Sequence, residues 1–177
     1  VATGEDKIPV GGKWGHLQNH IARPEELDRM FGHPKAKGIA IIGGQVSGNL
    51  INLDFEGKDH SHTPMESVYP DWEKLASEAL ARLGIGPLFE KMPVTKTQHG
   101  GYHARWRVLG ETDIGNDKLA KRWAVNPETG QILNDKNGKP IADLLIESKG
   151  EGGYARCPPS LGYELVQGDL TQIPTLP

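Results

Sequence analysis

A single cysteine, Cys157, stands in 177 residues, which excludes an intrachain disulfide framework and any zinc site built from several cysteines. A reducing, cytoplasmic setting is the natural reading. The sequence has no run of about 18 apolar residues and no signal-peptide pattern, so neither a membrane span nor secretion is supported. An initiator Met is missing, and the start at Val1-Ala2-Thr3-Gly4 has the look of an excised piece of a longer protein. Basic charge is not in excess: the net charge is -3, so a nucleic-acid partner would have to be met by a local patch. Repeats, heptads and low-complexity tracts are also lacking. Glycine and proline are abundant, 23 and 13 residues, which promises many turns. A hydrophobic share of 36% with 24% charged residues is ordinary for a globular protein, and the length suits one domain over 1–177.

The polar segment up to about His20 reads as irregular. Pro24 to Phe31 has Pro in the first turn and acids near the positive end of the helix dipole, with Gly32 and Pro34 beyond as stop signals, and predicts a short helix. Gly38-Ile39-Ala40-Ile41-Ile42 predicts a buried strand. The turn-rich 43–49 follows, then the acid-bearing strand read over Asn49 to Gly57, which suggests a hairpin with a long tip. Asp71 is placed as the cap of a second helix carrying Trp72, Leu75, Ala76, Ala79, Leu80 and Leu83 on a core-facing stripe, ended by Gly84. Val94 to Gln98, Tyr102 to Val108, Asp143 to Ser148 and Tyr154 to Cys157 predict strands. The polar 110–140 region, with Asn137-Gly138 as hairpin material, predicts a peripheral insertion. Helices on a mixed, largely antiparallel sheet make the class α+β.

Chemistry gathers at strand ends. In Asn49 to Gly57, alternation puts Asp54 and Glu56 on one face and Leu53 and Phe55 on the other. Two acids so close repel unless a positive charge lies between them, and hard carboxylate oxygens suit Mg²⁺ or Mn²⁺. A solvated turn at Glu56-Gly57-Lys58-Asp59 is the plainer alternative. A third acid, Glu147, closes another strand, and Gly100-Gly101-Tyr102-His103 places a glycine turn, open to an anion, beside a histidine. Asp59-His60-Ser61-His62 reads as a solvated loop rather than a metal cluster, and Cys157 as a buried, inert thiol.

The order of these motifs resembles the primase–polymerase branch of the archaeo-eukaryotic primase superfamily. Gly44-Gln45-Val46-Ser47-Gly48 leading to Asp54-Phe55-Glu56 is similar to that family's Gly-x-x-Ser-Gly turn and Asp-x-Asp/Glu. Thr97-Gln98-His99-Gly100-Gly101-Tyr102-His103 resembles its Thr-x-Ser-Gly-Gly-x-His, with His99 in place of the small hydroxyl residue. Ile146-Glu147-Ser148-Lys149-Gly150, Gly152-Gly153-Tyr154 and Pro158-Pro159-Ser160 resemble its third motif, with Glu147 where Asp is frequent.

The resemblance implies an RRM-like catalytic core with primase and DNA polymerase activity in plasmid- or phage-type replication. It implies Asp54, Glu56 and Glu147 as ligands of two Mg²⁺ or Mn²⁺ ions. Nucleotide triphosphate, NTP or dNTP, would be held by His103, Gly100, Gly101, Lys149 and Ser160. Single-stranded DNA template and primer are the implied partners, with a helicase domain further along the full-length protein. For the template, Arg105, Arg107, Arg156 and Lys96 are candidates from charge alone, as are Lys118, Lys121 and Arg122, with Trp123 for stacking; Trp106 reads as core. A metal-dependent nuclease and a non-catalytic module binding nucleotide or single-stranded DNA remain as alternatives.

Overall fold

The acid-bearing run forms the central strand of the larger of two sheets in a computed structural model that describes residues 1–110 and 112–177. The elements in order are β1 (Ala2–Thr3), a 3₁₀ turn (Gly15–Gln18), α1 (Pro24–Phe31), β2 (Gly38–Ile42), a 3₁₀ turn (Gln45–Ser47) and β3 (Leu50–Phe55). Next come α2 (Tyr69–Arg82), α3 (Gly86–Lys91), β4 (Val94–Lys96), β5 (Tyr102–Val108), β6 (Lys118–Trp123) and β7 (Ala142–Lys149). The chain ends with β8 (Tyr154–Cys157), β9 (Glu164–Gln167) and β10 (Thr175–Leu176).

The large sheet runs β6-β7-β3-β5-β4-β9 with β10 added beside β5; the small one is β1-β2-β8. Every pairing is antiparallel except β10 with β5. The fold is α+β.

Alternation along β3 sorts its residues. Leu53 and Phe55 enter a core with Val94, Ala104, Tyr69, Phe89 and Met92, covered by α2 and α3. Burying a side chain such as Phe55 stabilises the fold by about 1.5–3 kcal/mol. Trp72 lies over this face, its ring 4.9 Å from Phe55 and 6.4 Å from Trp106, so Trp106 belongs to the core as expected. The opposite face of the large sheet carries the acids and is covered by β8 of the small sheet. A second core of Ala2, Leu17 and Met30 lies under the amino-terminal segment. There Glu26, at the third position of α1, accepts the Arg23 N–H and pairs with His16 and His20. Those contacts, the Arg23 N–H foremost, pull its carboxyl down to about 2.

Three expectations are corrected. β2 and β3 are not a hairpin: they lie in different sheets, joined by one bridge between Gly44 and Leu50. Gly44 and Gly48, at φ 79° and 71°, swing the chain from one sheet to the other, and each strand then pairs with partners far away in sequence. Helix α2 begins at Tyr69, with Asp71 inside its first turn, because Pro70 serves the first turn without needing a donor. Its core stripe is narrower than expected, since Trp72, Ala76 and Leu80 pack on the sheet while Leu75 and Leu83 are 67% and 71% exposed. The short helix α3 has too little periodicity to be seen in sequence. In the 110–140 region, of which Glu111 lies outside the described residues, β6 pairs with β7 as an edge strand, and a tight turn spans Asp135 to Lys139.

Candidate active site

Register brings three strand residues into line. Asp54 on β3 stands directly opposite His103 on β5 and Glu147 on β7, so the three share one row and one face of the sheet. Glu56 continues this face just past the end of β3, where its N–H still bonds Leu145 O at 3.0 Å. Between this row and β8 lies a cleft of about 350 Å³, lined by Asp54, Glu56, His103, Glu147 and Lys149 from the sheet, with Lys7, Tyr154, Arg156 and Tyr163 facing them.

Each acid has its own electrostatic setting. Burial pushes the Asp54 carboxyl up, but His103, Lys149 and Lys7 more than offset this and hold it below the ordinary value. Its Oδ1 is 3.4 Å from His103 Nε2. Glu147 Oε2 is 2.7 Å from Lys149 Nζ. Among the described residues Glu56 has no such ion pair, and burial, followed by the Asp54 charge, raises its pKa. Lys7 is lowered, chiefly by burial, against the pull of Asp54.

His103 is set from behind. Arg105 Nη2 donates to Arg156 O at 2.7 Å and lies 3.0 Å from His103 Nδ1. The Arg156 carbonyl oxygen is also 3.0 Å from Nδ1, so this carbonyl and the guanidinium together fix the ring with Nε2 facing Asp54 and the cleft. Arg105 is fully buried and also donates to Thr95 Oγ1 at 2.7 Å.

Other sequence candidates lie elsewhere. Arg105 and Arg156 are not available to a template: both are buried, and Arg156 donates to Thr3 Oγ1 and Gly4 O. Arg107 is tied to Ser47 O and Ile173 O. Alternation finds a face but not whether another sheet covers it. Lys96 is exposed on β4, and Lys118, Lys121 and Arg122 are exposed on β6 beside Trp123. Ser160 does not reach the cleft; its hydroxyl accepts Ile39 N–H at 2.8 Å and ties β8 to β2. Gly100 and Gly101 do not line it either. Gly101 serves close backbone packing, since a Cβ there would fall 2.1 Å from Phe55 O. From that turn Thr97 and His99 reach the cleft instead. His60 and His62 are exposed, in keeping with a solvated loop, with His60 Nδ1 2.7 Å from Asp143 Oδ1, and Cys157 is buried with its thiol pushed up by burial.

Lys7 and Tyr163 were missed as site residues. Lys7 sits in a turn at φ 68°, with Nζ 5.9 Å from the Tyr163 ring centroid. Lys7-Ile8-Pro9 is a visible mark in the sequence, yet only the cover of β8 and its flanking segments over the large sheet turns it inward.

The donor chemistry fits a hard divalent cation: three carboxylates, one with its pKa raised by burial and by the neighbouring Asp54 charge. The acids share the cleft without all closing to within 4.8 Å of one another, a spacing that among the described residues only His16, His20 and Glu26 reach. Asp54 and Glu147 are turned instead to His103 and Lys149.

The Glu56 shift has a measurable consequence. Folded Glu56 keeps its proton at a pH where the unfolded chain has lost it, so its ionisation costs stability as pH rises through the raised folded value. Glu56→Gln therefore raises Tm at neutral pH in chelator, and the gain disappears below about pH 4. Thermal melts across this range check it; equal Tm values at neutral pH would place the carboxylate in open solvent.

No curated protein matches the chain. The family model described as bifunctional DNA primase/polymerase, N-terminal, matches residues 2–177, nearly the whole of both sheets and every strand that lines the cleft. With that match and this arrangement of acids, the chain belongs to the bifunctional DNA primase/polymerase family, whose chemistry is nucleotidyl transfer.

Proposed function

We propose that residues 1–177 act as one catalytic domain that extends, and initiates, strands on a single-stranded DNA template by nucleotidyl transfer in plasmid- or phage-type replication. The observation that carries this reading is the row Glu147–Asp54–His103, which sets two acids and an imidazole on one face of three adjacent strands. Asp54, Glu56 and Glu147 would hold Mg²⁺ or Mn²⁺, which when bound neutralise phosphate charge and stabilise the attacking and departing oxygens.

The remaining work falls to side chains. His103 Nε2–H donates to an oxygen of the incoming triphosphate, with Arg105 and the Arg156 carbonyl fixing the ring. Lys149 and Lys7, on opposite walls of the cleft, supply positive charge to the same phosphates. Positioning and electrostatics govern phosphoryl transfer, so no dedicated general base is required. The exposed Lys118, Lys121 and Trp123 on β6 offer the template cationic and stacking groups beside the row.

Primer extension on single-stranded template with Mg²⁺ or Mn²⁺, reading pyrophosphate, tests this. The expected result is extension matched by pyrophosphate release, and Lys149→Met raises the KM for nucleotide about 10-fold, the worth of one charge-assisted hydrogen bond, with a smaller effect on kcat. Release of nucleotides in place of pyrophosphate would identify a nuclease, and tight binding of nucleotide without extension a non-catalytic module.

A further inference from the structure

A second cluster of ligating groups lies outside the cleft, at the amino-terminal core. His16 in the 3₁₀ turn and His20 just after it both aim Nε2 at the carboxylate of Glu26 on α1, at 2.8 Å to Oε1 and 3.3 Å to Oε2. The imidazole rings are tilted, with centroids 5.2 Å apart. All three ligand atoms fall within 4.8 Å of one another. None of these residues lines the acidic cleft.

The cluster is held by its surroundings. Leu17, between the histidines in sequence, is 2% exposed, and Met30, one turn beyond Glu26, is fully buried, so both backbones are anchored in the same core. The Glu26 side chain is 7% exposed and its Oε2 accepts the Arg23 N–H at 2.9 Å beside His20, which leaves Oε1 to His16. The His16 and His20 side chains are 41% and 43% exposed, so ions and water reach Nε2 from outside.

We propose that His16, His20 and Glu26 form a transition-metal site that takes Zn²⁺, with water at the fourth position. Two imidazoles and one carboxylate are a zinc donor set, and bonds of about 2.0–2.1 Å in a tetrahedron place ligand atoms about 3.3 Å apart. The His20 Nε2–Oε2 distance already has this value and the His16 Nε2–Oε1 distance is about half an ångström shorter, so a small turn of the carboxylate that lets one oxygen serve both imidazoles completes the set. Two imidazole nitrogens favour zinc over the hard, oxygen-seeking Mg²⁺. The Arg23 guanidinium, 73% exposed and 3.4 Å from Oε2, has a free path away from the incoming ion. A bound ion joins the 3₁₀ turn to α1. It also fixes Trp14, whose ring packs edge-on at 4.9 Å against Tyr154 of the cleft wall.

Zinc retention tests this on the whole chain, stripped with chelator, loaded with ZnCl₂ and passed through gel filtration. The wild type and Glu147→Gln are each expected to keep one zinc per chain, whereas His16→Ala and His20→Ala weaken binding on the order of 100-fold or more. Zn²⁺ raises the Tm of the wild type and not that of the histidine variants. If His16→Ala fails to fold, His20→Gln, beyond the 3₁₀ turn, carries the test alone. No retained zinc in the wild type at micromolar free metal, or retention unchanged by both histidine substitutions, would overturn the site.

Discussion

Asp54→Asn lowers nucleotide incorporation by about 10²–10³-fold, the scale of losing one preorganised electrostatic group, and leaves the fold intact. The amide has the volume of the carboxylate and keeps a polar atom beside His103 Nε2, so the row across β7, β3 and β5 persists. What disappears is a negative charge in the middle of the row. The Asp54 side chain is 22% exposed, and its ionised form is kept by His103, Lys149 and Lys7 against the cost of burial. The neutral amide sheds that cost and also those attractions, so Tm moves by no more than about 4 °C, or roughly 1 kcal/mol for a chain of this size. The pH dependence separates the two proteins further. A carboxyl held below its ordinary pKa contributes stability that is present above the unfolded value of 3.8 and is lost as pH falls through the lower folded one. The variant lacks that acid-sensitive part. Single-nucleotide extension measures the first effect and melts between about pH 2 and 7 the second. Incorporation within tenfold of wild type would remove Asp54 from the reaction.

Arg105→Ala lowers Tm by about 6–12 °C and leaves affinity for single-stranded DNA unchanged in the protein that remains folded. The side chain is wholly enclosed, and truncation opens a cavity and strips donors from Thr95 Oγ1 and Arg156 O. Large-to-small changes in a core cost about 2–5 kcal/mol, and an orphaned buried acceptor adds about 1–3. Part of this is offset, because burial of the guanidinium is itself unfavourable and pushes its pKa down to about 10. About 3 kcal/mol remains, which corresponds to the stated shift. His103 also loses the guanidinium that braces its ring from behind, so kcat falls in the folded fraction while template affinity does not. Fluorescence anisotropy with labelled single-stranded DNA, beside thermal melts, decides the matter. Weaker DNA binding at unchanged Tm would return Arg105 to the template surface.

Much of the architecture could be read from local chemistry. Pro24 and the acids behind it mark α1, and the apolar runs mark β2, β3 and β7, within a residue or two of where they are found. The acids of the cleft were legible for the same reason: alternation is a local property, and Asp54 and Glu56 share a face in any extended strand. Ser160, Gly101 and Arg105 were misplaced because a motif position reveals a residue type and not its neighbours. The Ser160 hydroxyl is taken by Ile39, the Gly101 backbone by Phe55 O, and the Arg105 guanidinium by Thr95 and Arg156.

The sequence by itself determined the α+β class, the face on which the acids stand and the family order of the motifs, all of which depend on residues close together along the chain. Only the tertiary structure decided that β2 and β3 part into different sheets, and that Glu147 and His103 flank Asp54 in one row. It also decided that the small sheet covers the arginine-bearing face, turning Arg105 and Arg156 from candidate DNA ligands into internal struts. The physical reason is register: strand pairing between residues 47 to 97 positions apart is selected by the packing of whole faces, and no local pattern carries that information.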